Sequence, residues 1–539
     1  MKRFLSLIAV LALLITCTSC SGGGNKAISY SLSASPSTLD PQYATDTGAH
    51  IIIGNTFEGL MRLSENGEVV NALAESHTVS SDGLTYTFNL KHGTEWYCPS
   101  VLKREFGEEF YNKFSTEKVT ARDFVFAMQR AVSPDTGSPS AHRLFVIENA
   151  AEIHSGKADL SALGVTAPDD YTLVIRLNET CPNFLERLTE SVFMPCNEDF
   201  FNSMNGRYGL THKHILCNGP FYVGAWSKDD SLSIRRNKYY SGTREVLPSS
   251  VNFDFGFDLK TVSSRISSAS LSAAMLPPDC ALPENSTVIK ENKNSVFGFV
   301  FNCKDKYIQN PNVRLALCNS VDRSLFSQEI NSATPMSGFV PESCSMGSAG
   351  YRETVGGQTP QINKNDAAAQ AYWRTALSEL DKNVVEITVL CPEWLDNQVR
   401  RQLQIWQQTL GISLGISIET KTPEEIQEAV NSGNFQIALA GIEAEQDSAV
   451  DFLASLRSGG VMGFNSHEYG TVIDRLLTVE DENDLLAGCF TAETYILQQG
   501  YCYPLYCRSS RFVVNDEIEG ITLGNSESTV CFIGTKRYN

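Results

Sequence analysis

His212, His214 and Cys217 stand close together, and neutral imidazole and thiolate are both ligands for transition metals. A polar loop leading into a strand accounts for the same residues without a metal. That is the reading adopted, and no metal is expected. The other histidines are mostly isolated. Asp and Glu total 62, yet no pair is spaced as an acid–base couple. G-x-S-x-G, H-E-x-x-H, the Walker A pattern and G-x-G-x-x-G are all missing. The chain is therefore read as a non-enzyme that needs no cofactor. Thirteen of the fifteen cysteines follow residue 20, in scattered positions from Cys98 to Cys531 and without C-x-x-C. Export would favour disulfides. The low density and irregular spacing instead favour buried thiols acting as small apolar fillers.

The amino terminus carries an address. Lys2 and Arg3 precede an apolar run from Phe4 to Ile15, then Thr18-Ser19-Cys20 and Ser21-Gly22-Gly23-Gly24. This is a secretory signal, too short for an ordinary spanning helix. The Cys20 junction resembles the lipobox of bacterial lipoproteins. It implies a signal peptide over 1–19, lipid on Cys20 and a flexible tether over 20–26. Cys17 is the alternative attachment residue, and a soluble secreted chain the alternative fate. Nothing after residue 24 is apolar enough to span a bilayer. A net charge of −19 without a basic tract argues against nucleic-acid partners. With 539 residues the chain must form more than one core.

The elements that would position any site alternate strand and helix. Ala27–Ala34 and Leu84–Leu90 alternate apolar and polar as half-buried strands do. His50–Leu63 reads as a helix. Thr120 can cap a helix over Ala121–Val132, with Asp123 in its first turn and Phe124, Met128 and Ala131 on one face. Val385–Cys391 reads as a strand, followed by a helical stripe of Leu395, Val399, Leu403, Trp406 and Leu410 that Gly411 ends. Ile412–Glu419 is the next strand. Thr422, Pro423 and Glu425 form a capped helix start, Gly433 ends that helix, and Phe435–Ile442 is a further strand. Such a run implies a largely parallel sheet covered by helices. Lys103–Lys118, charged and aromatic, reads as an exposed helical insertion.

Several blocks together resemble the large extracellular solute-binding proteins of peptide ABC importers, the oligopeptide- and dipeptide-binding class. They are Ser37-Thr38-Leu39-Asp40-Pro41, Phe57-Glu58-Gly59-Leu60, Ala72 to Ser76, Ser81 to Phe88, Val119 to Val125, Asn218-Gly219-Pro220-Phe221-Tyr222, Arg236 to Tyr240, Asn312 to Leu317, Val321-Asp322-Arg323, and Ala492-Glu493 through Tyr506. The resemblance implies an α/β, two-lobed clamp of the type II periplasmic-binding kind with an extra domain. Lobe I would comprise 27–68 with 200–290 and 510–539, the extra domain 69–199, and lobe II 291–509, hinged at two crossovers. It implies a monomer held to the membrane by lipid outside the cytoplasm, taking short peptides and passing them to ABC permease and ATPase subunits. Other cargoes of this fold are a nickel chelate, haem, an oligosaccharide or a peptide pheromone, and a secreted hydrolase is the alternative from another class. In the family a strand of lobe II leads into Gly-x-x-Ala-Asp, whose acid binds the peptide α-ammonium. Gly441-Ile442-Glu443-Ala444-Glu445-Gln446-Asp447-Ser448 stands at that place. This implies Glu445 as the ammonium ligand, Asp447 in reserve, and Gly441, Ile442 and Glu443 as a backbone edge for an extended peptide. A solvated loop acid is the alternative for Glu445. Phe435–Ile442 holds no basic residue to meet a peptide carboxylate.

Overall fold

The computed structural model describes residues 27–538 apart from 65–67, 182, 243, 278–279, 327–333, 347–348, 357–361, 445–447, 458, 478, 480 and 525–528, and apart from the side chains of Thr334, Pro423, Glu424 and Arg508. The first part of the chain supplies β1 (Ile28–Leu32), α1 (Thr47–Thr56), β2 (Ala74–Val79), β3 (Thr85–Leu90), α2 (Ala121–Val132), β4 (Val165–Asp169), β5 (Thr172–Arg176), the single-turn α3 (Phe184–Arg187), β6 (Phe221–Ser227), β7 (Ser231–Arg236), β8 (Ser250–Phe255) and β9 (Ala273–Leu276). The second supplies β10 (Ser286–Phe301), β11 (Val385–Pro392), α4 (Asp396–Leu410), β12 (Leu414–Lys421), α5 (Pro423–Ser432), β13 (Ile437–Glu443), α6 (Ala449–Ser455), α7 (Glu482–Gln498) and β14 (Cys502–Asn515).

One mixed sheet runs through the molecule in the order β12-β11-β13-β10-β14-β9-β1-β8-β7-β6, with Thr334–Pro335 pairing to β14. Its middle pair, β10 and β14, are long antiparallel strands common to both halves. β1 lies parallel to β8 and β9, and β11 lies parallel to β12 and β13. The β10–β14 register shifts between Val288 and Lys290, between Asn292 and Ser295, and between Phe297 and Gly298. Such irregularities bend and twist a ribbon locally. A second, antiparallel sheet has the order β2-β3-β5-β4.

Apolar burial follows the same division. One core joins β1 and β6–β8 to α1, α2 and the second sheet. Two more lie on the opposite faces of β13: Ala438, Ala440 and Ile442 enter one, Ile437 and Leu439 the other. β13 is apolar at successive positions because both its faces are covered. The protein is thus a two-lobed α/β clamp whose lobes share β10 and β14. Among the described residues no helix is long and apolar enough to cross a membrane.

Local chemistry explains most element ends. Thr120 and Asp123 form a capping box on α2, and Thr422 and Glu425 form one on α5. Gly411, at φ 81°, and Gly433, at φ 73°, end α4 and α5 in conformations that disfavour a Cβ. The helix expected over His50–Leu63 covers only Thr47–Thr56, and Met61–Leu63 is a short strand. The cause is remote: the Asn218 amide oxygen accepts the Glu58 N–H at 3.0 Å, and the Asn218 amide donates to the Glu58 carbonyl at 2.9 Å. Gly219 presses so closely there that a Cβ would meet the Thr56 carbonyl carbon at 2.7 Å.

The segment 103–118 is helical over Val101–Phe106 and Glu108–Phe114, but not simply exposed. Phe114 is buried and meets Phe200 edge-on, with centroids 5.3 Å apart. The insertion is tied down by its aromatic face. α2 is likewise tied to the start of the chain. Arg130 pairs with Asp40 at 2.5 Å and donates to the Gln42 amide oxygen at 2.9 Å, with its guanidinium 4.0 Å over the Phe201 ring. The thirteen described cysteines are free thiols, ten of them buried.

A candidate ligand site between the lobes

β13 carries Gly441, Ile442 and Glu443, three of the residues expected to meet a ligand. It pairs with β10 from Ser295↔Glu443 to Phe301↔Ile437. Just beyond its two ends, the Ala444 N–H donates to the Asn294 carbonyl at 2.8 Å and the Asn302 N–H to the Gln436 carbonyl at 3.0 Å. In an antiparallel pair, hydrogen-bonded and non-bonded positions alternate. Residues 436, 438, 440, 442 and 444 therefore turn their amides toward β10, and Leu439, Gly441 and Glu443 turn theirs to the other edge. On that edge β11 pairs only with Ile437 and Ala438. It then continues to Pro392 alongside β12. Because the Ala438 N–H faces β10, the Leu390–Ala438 pairing is made through the Leu439 N–H, and among the described residues no strand pairs with the outer edge at Gly441.

Gly441, Ile442 and Glu443, of the expected site residues, lie in the described chain. The Gly441 backbone faces the open edge, and the alternation turns Glu443 the same way. Ile442 sits opposite Val296 with its amide turned to β10, and its side chain enters a core. Its part is to hold the edge. A Cβ on Gly441 would stand 3.0 Å from the Ser295 hydroxyl and 4.0 Å from the Phe297 ring. Glu445 and Asp447 lie outside the described residues, as does Cys20. The chain re-enters at Ser448, which caps α6 by accepting the Asp451 N–H.

Two further features were not singled out from sequence. Trp394 overhangs the point where β11 leaves β13. It is 46 % exposed, and its ring lies 6.0 Å from Phe297, which stacks on Tyr506 at 5.0 Å. A Trp three residues past the strand read over Val385–Cys391 was the available signal. The second feature is Asp451, whose carboxylate accepts hydrogen bonds from Asn183 and Arg187 in the first part of the chain. These partners are more than 260 residues away, so no local pattern announces them.

Other groups of chemical interest lie elsewhere. His214 shares a 2.7 Å hydrogen bond with Thr211, Lys213 pairs with Glu105, and Cys217 is buried. Among the described residues no group of three His, Cys, Asp or Glu side chains is arranged to hold a metal ion. Burial raises the Cys217 thiol to about 12. A thiol held neutral in this way is a poor nucleophile. Asp123 is buried, which pushes its carboxyl up to about 7. It serves as the α2 capping partner, accepting the Thr120 N–H at 2.7 Å. Buried Glu493 is fully engaged, accepting the Phe339 and Val340 N–H groups, the Tyr351 hydroxyl and Arg352. A cavity of about 570 Å³ lies beside β1, β6, β7 and β8, lined by Ser29, Trp226, Asn252, Asp254 and Arg265, and is separate from the β13 edge.

A clamp whose lobes share two strands, with an open strand edge beside the crossover, is the architecture of a solute-binding protein. Residues 68–464 match the family "Bacterial extracellular solute-binding proteins, family 5 Middle", and the chain belongs to that family. It is 23 % identical over 518 residues to the oligopeptide-binding protein OppA of Bacillus subtilis, covering 93 % of this chain and 91 % of that one. It is 24 % identical over 511 residues to the dipeptide-binding protein DppE of the same organism, covering 92 % and 90 %. The structure of Listeria monocytogenes OppA bound to peptide superposes with a TM-score of 0.78 at 21 % identity, covering 96 % of this chain and all of that one. At that identity the likeness establishes the fold.

Proposed function

We propose that this protein is the substrate-binding component of an ABC importer, capturing short peptides outside the membrane and handing them intact to permease and ATPase subunits. The observation that carries this is the open β13 edge. Beyond the pairing with β11, its outward carbonyls at Leu439 and Gly441, with the Gly441 N–H between them, follow the two-residue repeat of about 6.6 Å that an extended peptide matches. The oligopeptide- and dipeptide-binding names of its relatives favour peptide over a nickel chelate, haem or an oligosaccharide. The family is one of solute-binding proteins, which favours binding without chemistry.

In this reading Glu445 meets the peptide ammonium, with Asp447 in reserve, and Gly441 and Glu443 hold the peptide backbone. Lobe I comprises 27–68, 200–290 and 510–539, the extra domain 69–199, and lobe II 291–509. The hinge lies at the β10–β14 register shift near Asn292. The protein acts as a monomer, without a cofactor, tethered to the membrane by lipid on Cys20. The test is thermal unfolding with and without di- to pentapeptides. A ligand selective for the native state adds RT ln(1 + [L]/Kd), about 2.7 kcal/mol at a hundredfold excess over Kd. The proposal expects a rise in Tm with some peptides. No shift with any peptide, and a shift with a sugar oligomer or metal chelate, would overturn it.

A further inference from the structure

Lobe II meets the extra domain through charge, at residues outside the two strands that join the halves of the molecule. On lobe II, Asp451 lies in the first turn of α6, three residues after Ser448, with its carboxylate only 10 % exposed. Its oxygens accept the Asn183 amide at 2.9 and 3.1 Å and the Arg187 guanidinium at 3.0 Å. Both partners belong to α3. Asn183 occupies the N-cap position of that helix, yet its side chain does not cap it. The amide instead reaches to Asp451, and its oxygen accepts the Arg187 Nε–H at 3.3 Å and the Cys181 thiol at 3.1 Å. The three side chains therefore orient one another.

Each end of this contact is anchored in a different core. Phe184 and Leu188 are fully buried in the core that joins the extra domain to lobe I, so the two move together, and Ala449, Phe452 and Leu453 are buried in the core of lobe II. A rotation of one lobe against the other about β10 and β14 cannot keep all three hydrogen bonds, because they are short, directional and rooted in separate rigid bodies. When they part, Asp451 and Arg187 must be hydrated again.

We infer that Asn183, Arg187 and Asp451 form a clasp that holds the clamp closed and sets how long cargo is retained. The inference rests on the solute-capture reading above. Its physical content is a bias on a two-state equilibrium. Favouring the closed form slows release, and the apparent affinity scales with the population of the competent state. Charged partners that meet only on closure contribute to dissociation rates more than to encounter. Asp451 is neutralised by Arg187 in this arrangement, so it does not compete with Glu445 for a ligand ammonium. Arg187 and Asn183 act through the lobes and are positioning residues.

The test compares wild type with Arg187→Met and Asn183→Ala, each freed of ligand, by small-angle scattering, and then measures dissociation of tri-alanine and tetra-alanine. The clasp predicts a larger radius of gyration for both variants without ligand, and at least fivefold faster peptide release with little change in association rate. Arg187→Lys, which keeps the charge but loses the Nε–H bond to Asn183, falls between. Variants that scatter as wild type does and release peptide at its rate would overturn the inference. Should Arg187→Met not fold, Asn183→Ala alone decides, since it keeps the charge pair. If wild type takes up no peptide, the proposed function falls, while the ligand-free radii still decide whether the clasp exists.

Discussion

Replacing Gly441 by proline removes one N–H that the alternation along β13 points at the open edge, while the β10 ladder at Ala440 and Ile442 stays intact. Residue 440 is already extended, the conformation that a following proline favours. Without ligand the fold therefore loses no ladder hydrogen bond. With ligand, a peptide carbonyl inside the closed cleft is left without its donor. An unsatisfied buried acceptor costs about 1–3 kcal/mol, which is about 5- to 150-fold in Kd. The reciprocal change is made in the peptide. N-methylation at every second amide, those that would donate to the Leu439, Gly441 or Glu443 carbonyls, costs a similar amount. Methylation of the intervening amides, which face away, costs much less. Calorimetric titration of a tetrapeptide and its single N-methyl variants against both proteins reads the pattern directly. An even loss at all positions, or an unchanged Kd for Gly441→Pro in a protein with wild-type Tm, would refute strand addition at β13.

Four further outcomes are expected. Glu445→Gln weakens a free-amine peptide more than its N-acetyl analogue, and equal loss in titrations of both would reject the ammonium role. Arg130→Met leaves Asp40 buried and unpaired, with the pair only 8 % and 11 % exposed. Urea unfolding should show a loss of about 3–5 kcal/mol, most of it recovered in Arg130→Met/Asp40→Asn, and a loss below about 1 kcal/mol contradicts the buried-pair account. Asp123 holds its proton up to about 7 in the fold against 3.8 ordinarily, so the native state binds more protons and stability falls as pH rises between those values. Asp123→Asn should flatten that part of the Tm profile, and a parallel profile would count against a raised carboxyl. Cys20→Ser should move the protein from the detergent phase to the aqueous phase, and unchanged partitioning would exclude that residue as the anchor.

Much of the scaffold was legible because its signals are local. The Thr120 cap with Asp123 in the first turn, the Thr422–Glu425 box, the α4 stripe and the apolar run that enters β13 needed only neighbouring residues, and the structure has all of them. What failed depends on distant chain. The first helix stops at Thr56 because Asn218 and Gly219 seize the next peptides, 160 residues away. The insertion over 103–118 is pinned by Phe200. In the site, an edge strand could be anticipated at Gly441, but which amides face outward follows from pairing with Asn294 and Asn302. Trp394 and the Asn183–Arg187–Asp451 contact emerge only when β11 veers away and the lobes meet.

The central claim is tested most directly by native mass spectrometry of the purified protein after incubation with a defined tetrapeptide. The account predicts a one-to-one complex that releases the peptide at its original mass. Failure to retain any peptide, or recovery of the peptide as fragments, would contradict it.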